Sequence, residues 1–320
     1  MMGMMGMCAI TGVAAVMLAL HAHNQREVRR TENAFPPRGS FVTAEGLRLH
    51  YVCQGAGQPV VLLHGGILSS CDYAGVLELA AEAGFRAIAF DRPGYGYSER
   101  PRRDMATPAV QARLLREALS VLKAERPVLV AHSWSGSLAL AYALAYPDEI
   151  AGLVLLAPGA YAGDAYPAGT ADLLIGRLLR VPWLGGLLAN TLLPPLARLL
   201  AKPMVTSAFS PDPVPPGYLE RARALWSRPG QLRANREDIL AYVRTVPQWE
   251  PRYADIRTPV VIVVGDADPF HPALQAGRLH REIGHSRLVV LPGTAHMIPD
   301  VRPEAVVEAV HMVLKHKQPS

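Results

Sequence analysis

Six short apolar runs recur along this chain: Val60–Leu63, Ala87–Phe90, Val128–Ala131, Gly152–Leu156, Val260–Val264 and Leu288–Leu291. Runs of that length with no polar alternation are the pattern of strands buried on both faces. Between and after them lie amphipathic segments of helical period, among them Pro108–Lys123, Ser135–Tyr146, Pro272–Ile283 and Pro303–Leu314. Buried strands alternating with helices build an α/β fold, a mostly parallel doubly wound sheet, because each parallel neighbour needs a crossover and the helices cover both faces. Ahead of this pattern, Ser40–Thr43 and Leu47–Cys53 flank Glu45-Gly46 and read as a β-hairpin. One stretch breaks the rhythm. From 161 to 253 there is no clear strand, many prolines and a leucine-rich region, Asp172–Met204. A loop of that length does not suit a compact domain, so an inserted helical cap is expected there, between core segments at 40–160 and 254–320. Its leucines suit helix packing and an apolar lid over a substrate; the other reading is a surface resting on a membrane.

Composition narrows the function classes. Half of the residues are apolar, 18% are charged and the formal net charge is +5, which fits a buried-core protein. No basic run is interleaved with aromatics, so nucleic acid is not an expected partner. The three cysteines, Cys8, Cys53 and Cys71, form no C-x-x-C or His-rich cluster, which argues against structural zinc and a redox pair. A Cys53–Cys71 bridge stays open for an exported domain. Met1–Leu20 carries no charge and is about the length needed to cross a bilayer, so residues 1–22 are expected to be an N-terminal transmembrane anchor. A secretory leader would begin with a basic region, and this one does not. Arg26, Arg29 and Arg30 follow the span against Glu27, a bias that puts the domain on the cytoplasmic side. Cleavage of the leader would instead make it secreted or periplasmic. Residues 23–39 are polar and end in Pro36-Pro37, which reads as a linker.

The chemistry-bearing residues each follow an apolar run, and in open parallel sheets ligands bind at the carboxyl ends of strands. After Val128–Ala131 comes His132-Ser133-Trp134-Ser135-Gly136. A nucleophile elbow needs a sharp strand-to-helix turn with small neighbours two positions either side. Here Ala131 and Ser135 stand where glycines are usual, and Ser135 is a rival to Ser133. Ser133 is preferred because it lies two residues beyond the run. After Val260–Gly265, Asp268 is the expected acid, with Asp266 as its rival, because a carboxylate there orients a histidine and stabilises its imidazolium. His296, in the glycine turn after the last strand, is the expected general base. His64-Gly65-Gly66 follows Val60–Leu63, and the Gly66 and Trp134 amides are the expected oxyanion donors. The chemistry calls for no metal or organic cofactor.

From about Phe41 to Leu314 the chain resembles the α/β-hydrolase superfamily. The likeness rests on His64-Gly65-Gly66, on Asp91-Arg-Pro-Gly-Tyr-Gly-Tyr-Ser98, on His132-Ser133-Trp134, on Gly265-Asp-Ala-Asp268 and on His296, in the order Ser, Asp, His. The Asp91–Ser98 turn is similar to that of the branch holding haloalkane dehalogenases, epoxide hydrolases, C–C bond hydrolases and small esterases. The first two activities use an aspartate nucleophile; Ser133 stands at the matching position and disfavours both. The resemblance implies a serine hydrolase with Tyr161–Tyr253 as the cap. Its expected substrate is a small apolar ester or similar acyl compound. A C–C hydrolase with the same triad is the alternative. The loss of both elbow glycines motivates a third reading, a non-catalytic membrane-tethered binding protein.

Overall fold

A computed structural model describes residues 2–101, 106–166 and 168–315, with the helical backbone but not the side chains of residues 2–10. Its centre is an eight-stranded sheet: β1 (Ser40–Ala44), β2 (Leu47–Gln54), β3 (Gln58–Leu63), β4 (Phe85–Phe90), β5 (Val128–His132), β6 (Gly152–Leu156), β7 (Val260–Gly265) and β8 (Arg287–Leu291). The spatial order is β1-β2-β4-β3-β5-β6-β7-β8. β1 pairs antiparallel with β2 and β2 with β4, while every pairing from β4 onward is parallel. Every residue of β5, β6 and β7 is buried, as runs without polar alternation require. β1, at the sheet edge, alternates instead. The hairpin turn uses Glu45 and Gly46, both at positive φ, which matches the twist of its strands.

The helices are α1 (Met2–Ala34), α2 (Ala74–Glu82), α3 (Pro108–Val121), α4 (Ser135–Ala145), α5 (Thr170–Arg180), α6 (Pro182–Asn190), α7 (Leu193–Phe209), α8 (Tyr218–Trp226), α9 (Pro229–Thr245), α10 (Arg278–Glu282), α11 (Ile298–Val301) and α12 (Pro303–Lys315). Strand periodicity splits the core in two. Val61, Leu63, Leu129 and Ala131 face α3 and α4, while Val60, Leu62, Val128 and Val130 face α2 and α12. Thr107 caps α3 by accepting from the Val110 amide at 3.2 Å, with Pro108 at the first helical position. The segment Pro272–Ile283, read as one helix, is a wide helical turn at Ala273–Gly277 that runs into the short α10.

Two expectations about the N-terminus need correction. Residues 23–39 do not form a linker throughout, because α1 continues unbroken to Ala34. Its polar half is held by the cap: Asn24 Nδ2, fully buried, donates to the carbonyls of Asn190 at 3.0 Å and Thr191 at 2.8 Å. Glu27 pairs with Arg30 at 2.7 Å and with Arg198 at 3.4 Å. The transmembrane anchor is not supported: among the described residues no single helix is long and apolar enough to cross a membrane. The side chains of the first half of that expected span lie outside the described residues. Cys53 and Cys71 are free, so the bridge left open between them is not made.

The Asn24 clamp has a direct test. Asn24→Ala deletes both bonds to the α6–α7 corner, a local loss of about 1–2 kcal/mol. Amide exchange across α1 should accelerate while the unfolding of the sheet core stays where it was. Unchanged protection of α1 would show that Asn24 does not hold it.

Candidate active site

The carboxyl ends of β3, β4, β5, β7 and β8 converge on one group of polar residues. At the end of β5 the chain turns sharply into α4, and Ser133, on the turn, has φ +53°. A left-handed backbone at a residue with a Cβ costs on the order of 1–3 kcal/mol and persists only where the surroundings impose it. Here they do. The Ser133 amide donates to Leu156 O at 2.9 Å, and its carbonyl accepts from Gly136 N and Gly159 N, both at 2.8 Å. Ala131 and Ser135, in place of the usual glycines, are both fully buried, so the turn closes around their small side chains. A Cβ on Gly136 would come within 2.8 Å of Pro158 Cβ, which explains why glycine stands there. The hydroxyl of Ser135 is committed elsewhere, donating to the carbonyl of His64.

The loops after β7 and β8 are laced together. A Cβ on Gly265 would lie 1.9 Å from Thr294 O, so only glycine lets them approach, and Ala267 N donates to that same carbonyl at 3.1 Å. The lacing brings Asp268 Oδ2 to 2.9 Å from His296 Nδ1. Asp268 Oδ1 accepts from Phe270 N at 2.8 Å. Burial works to raise the Asp268 carboxyl, but the facing His296 and these hydrogen bonds outweigh it and hold the group below the ordinary carboxylate range. Asp266 turns outward and accepts from Gly293 N at 2.7 Å. His296 also donates its amide to Ala208 O of α7 at 3.1 Å, so the cap touches the histidine directly. Phe270 stacks edge-on to the His296 ring with centroids 4.5 Å apart.

Ser133 reaches the same place through its neighbour. His132 lies under His296, with ring centroids 4.8 Å apart, and its Nε2 bonds the His296 carbonyl at 2.9 Å. Burial, then the adjacent His296, drives the His132 pKa down to about 3, so it stays neutral. Gly65 passes so close that a Cβ there would sit 3.0 Å from Ser133 Cβ.

The loop after β3 is set by a residue to which sequence reasoning assigned no role. Arg92, at the end of β4, is fully buried, donating Nε to His64 O at 2.9 Å and Nη2 to Gly65 O at 3.0 Å. Its backbone amide donates to His64 Nε2 at 2.9 Å, which leaves His64 Nδ1 as the protonated nitrogen facing Gly65 O at 2.8 Å. Burial, then Arg92, lowers the His64 pKa to about 3. In a planar trans peptide the carbonyl and the next N–H point opposite ways, so turning Gly65 O toward Arg92 turns the Gly66 amide away from it. Arg92 Nη1 meanwhile reaches Asp238 Oδ2 of α9 at 2.6 Å and Gln111 Oε1 of α3 at 3.0 Å. The Trp134 ring lies 4.3 Å from the guanidinium, and its Nε1 donates to Asp238 O at 3.2 Å. The Trp134 amide itself sits at the start of α4, where first-turn donors lack intrahelical acceptors. Asn235 of α9 adds a cap amide beside Gly66, its Nδ2 3.2 Å from where a Gly66 Cβ would stand. Arg92 was visible in the Asp91–Ser98 motif, but its partner Asp238 lies 146 residues away.

A recess of about 660 Å³ opens at the seam between α7 and the Asp268 loop, lined by Lys202, Pro203, Thr206, Ser207, Ser210, Ala267 and Pro269. Neither Ser133 nor His296 lines it, so it is an outer opening beside the site.

Residues 58–303 match the family described as the alpha/beta hydrolase fold, and the chain belongs to that family. It is similar to the soluble epoxide hydrolase of Corynebacterium sp. (strain C12), 28% identical over 278 residues covering 82% of this chain and 92% of that one. It is also similar to the 2-hydroxy-6-oxononadienedioate/2-hydroxy-6-oxononatrienedioate hydrolase of Paraburkholderia phymatum, 28% identical over 230 residues, 71% of this chain and 76% of that one. Its fold superposes on a thermophilic esterase from Thermogutta terrifontis with a TM-score of 0.70 at 24% identity, covering 87% of this chain and 98% of that one.

Two predictions follow from this geometry. His64 and His132 are held neutral at about 3 against an ordinary 6.5, so below that value the unfolded chain takes up protons that the folded one does not. The stability present above pH 6.5 is therefore lost as pH falls toward 3, by about 1.4 kcal/mol per pH unit for each histidine. Urea unfolding between about pH 7 and about pH 5 should trace that slope, and a flat profile would contradict neutral burial. Arg92→Lys keeps the charge but loses the planar fork that serves two carbonyls and Asp238. It should cost at least about 3 kcal/mol in the same assay, and near-parental stability would remove Arg92 from the role described.

Proposed function

We infer that this α/β hydrolase cleaves an ester or similar acyl bond of a small apolar substrate through an acyl-enzyme on Ser133. The observation that carries the reading is the Asp268–His296 hydrogen bond beside a serine held at φ +53° on the strand-to-helix turn. His296 takes the Ser133 proton as the hydroxyl attacks the carbonyl carbon, then returns it to the leaving alcohol. Water, deprotonated by the same histidine, then releases the acid and frees the serine. Asp268 fixes the imidazole tautomer and offsets the imidazolium charge. The Gly66 and Trp134 amides meet the oxyanion, the first directed by the carbonyl grip of Arg92 and the second by the start of α4.

Serine favours acyl chemistry over epoxide opening, despite the name of the Corynebacterium relative. A carboxylate that opens an epoxide leaves an ester, which water can hydrolyse. A serine would leave an ether, and turnover would stop there. Carbon–carbon cleavage is the second reading, favoured by the likeness to the Paraburkholderia hydrolase. It would use the same donors for a developing oxyanion.

The test is p-nitrophenyl ester hydrolysis over several acyl lengths by the full chain, beside Ser133→Ala and Ser135→Ala. Only Ser133→Ala is expected to abolish turnover, by about four or more orders of magnitude in kcat, with the parent preferring longer acyl chains. Loss in Ser135→Ala alone would move the nucleophile two residues on. A folded parent inert to every ester but active on a vinylogous diketone would establish the carbon–carbon reading. Inertness to both would leave a binding protein.

A further inference from the structure

The outer face of the cap over residues 173–210 is apolar and has no acidic residue, and Asp172, at the start of α5, is engaged by Arg236. Between Leu173 and Ser210 there is no aspartate or glutamate, against Arg177, Arg180, Arg198 and Lys202. Arg198 turns inward to Glu27 and Ser227, while Arg177, Arg180 and Lys202 are exposed. Around them stand large exposed side chains, led by Trp183 at 76% and Leu199 at 73%. Leu192, at the N-cap of α7, and Leu196, Leu199, Leu200 and Met204 on it are all exposed at helical spacing, so they form one stripe along the helix. The stripe leads to the recess beside the Asp268 loop, where Lys202 and Pro203 form one wall. On the core side of that seam Phe270 and Leu274 are also exposed. The apolar rim therefore runs across the cap–core boundary at the opening next to the site.

We propose that this face of α5, α6 and α7 docks on an anionic phospholipid bilayer. A helix face with exposed leucines, a tryptophan and flanking arginine and lysine suits the headgroup boundary, where apolar side chains enter the acyl region and cations meet lipid phosphates. Trp183, at the start of α6, has the amphipathic ring that settles at that depth. Charge decides against a second copy of the chain as the occupant. A two-fold dimer through this patch sets the patch against itself, bringing Arg177 and Lys202 of both copies together with no acid from the stretch between them. An anionic leaflet supplies the opposite charge. The docking makes no use of the catalytic reading, and it places the recess where an apolar compound dissolved in the bilayer meets the seam.

The test is flotation of the full chain with phosphatidylcholine vesicles and with vesicles containing roughly a third phosphatidylglycerol. The parent should float with the anionic vesicles and release as salt shortens the reach of surface charge. Trp183→Ser with Leu199→Ser, both on the solvent side of their helices, should weaken partitioning about tenfold or more. Arg177→Glu with Lys202→Glu should remove the preference for anionic lipid. The proposal is overturned if the parent does not float, or if the Trp183/Leu199 variant floats as well as the parent. It is equally overturned if those substitutions dissolve a dimer seen by light scattering and leave flotation unchanged.

Discussion

The buried guanidinium of Arg92 is the contact on which the arrangement of this molecule turns. It joins the end of β4 to the His64 and Gly65 carbonyls after β3, to Gln111 on α3, and to Asp238 on α9. Trp134, next to the elbow serine, packs over it from one side and Tyr95 from another, at 4.3 and 4.4 Å. Removing such a charge from water is expensive, and a buried pair of this kind is not in itself a strong source of stability. What it contributes is geometry. The fork fits two carbonyls and a carboxylate at once, an arrangement that an apolar side chain of equal volume has no means to specify. Asp238 is in turn satisfied by Tyr95 Oη at 3.0 Å and by Arg100 Nη2 at 2.9 Å, so neither charge is left uncompensated.

The same demand for satisfied groups explains the two neutral histidines. At His64 and His132 burial, joined by Arg92 or His296, outweighs the nearby carboxylates, and each ring has a carbonyl partner that suits a neutral imidazole. His296 differs because Asp268 faces it directly. Of these three histidines only His296 has a carboxylate hydrogen-bonded to its ring, the arrangement on which its proposed role as proton carrier rests. The steric demands are equally local. Gly265 and Gly65 stand where a single methyl group would push apart the loops that hold Asp268, His296 and Ser133.

The sheet was legible in the sequence because strands buried on both faces have no choice but to be continuous apolar runs, as β3 to β7 largely are; the run Leu288–Leu291 also forms a strand, β8, but at the sheet edge with Val290 exposed. Position after a strand favoured Ser133 over Ser135 and Asp268 over Asp266, but the contacts that engage the two rivals, Ser135 with His64 O and Asp266 with Gly293 N, span 71 and 27 residues, and no local pattern records them. The Arg92–Asp238 pair was hidden for the same reason. At the N-terminus local reasoning erred outright. The polar residues after Leu20 resembled a linker, yet Asn24, Gln25 and Glu27 are a helical face matched to Asn190, Thr191 and Arg198 of the cap. Polar composition describes that surface correctly but says nothing of whether another polar surface meets it.

The cap's small hydrophobic core shows why it is not a freely swinging lid. Val205 and Phe209 of α7 and Tyr218, Ala222 and Trp226 of α8 share one cluster with Leu68, just past Gly66, and with Met297, the residue after His296. Gln231 of α9 adds bonds to the Ile67 and Leu68 carbonyls at 2.7 and 3.1 Å. Lifting α7 and α8 would therefore expose the apolar contacts that seat both the Gly66 loop and the His296 loop, and it would break the Ala208 bond to the histidine amide. Such a motion disassembles the site as it opens it.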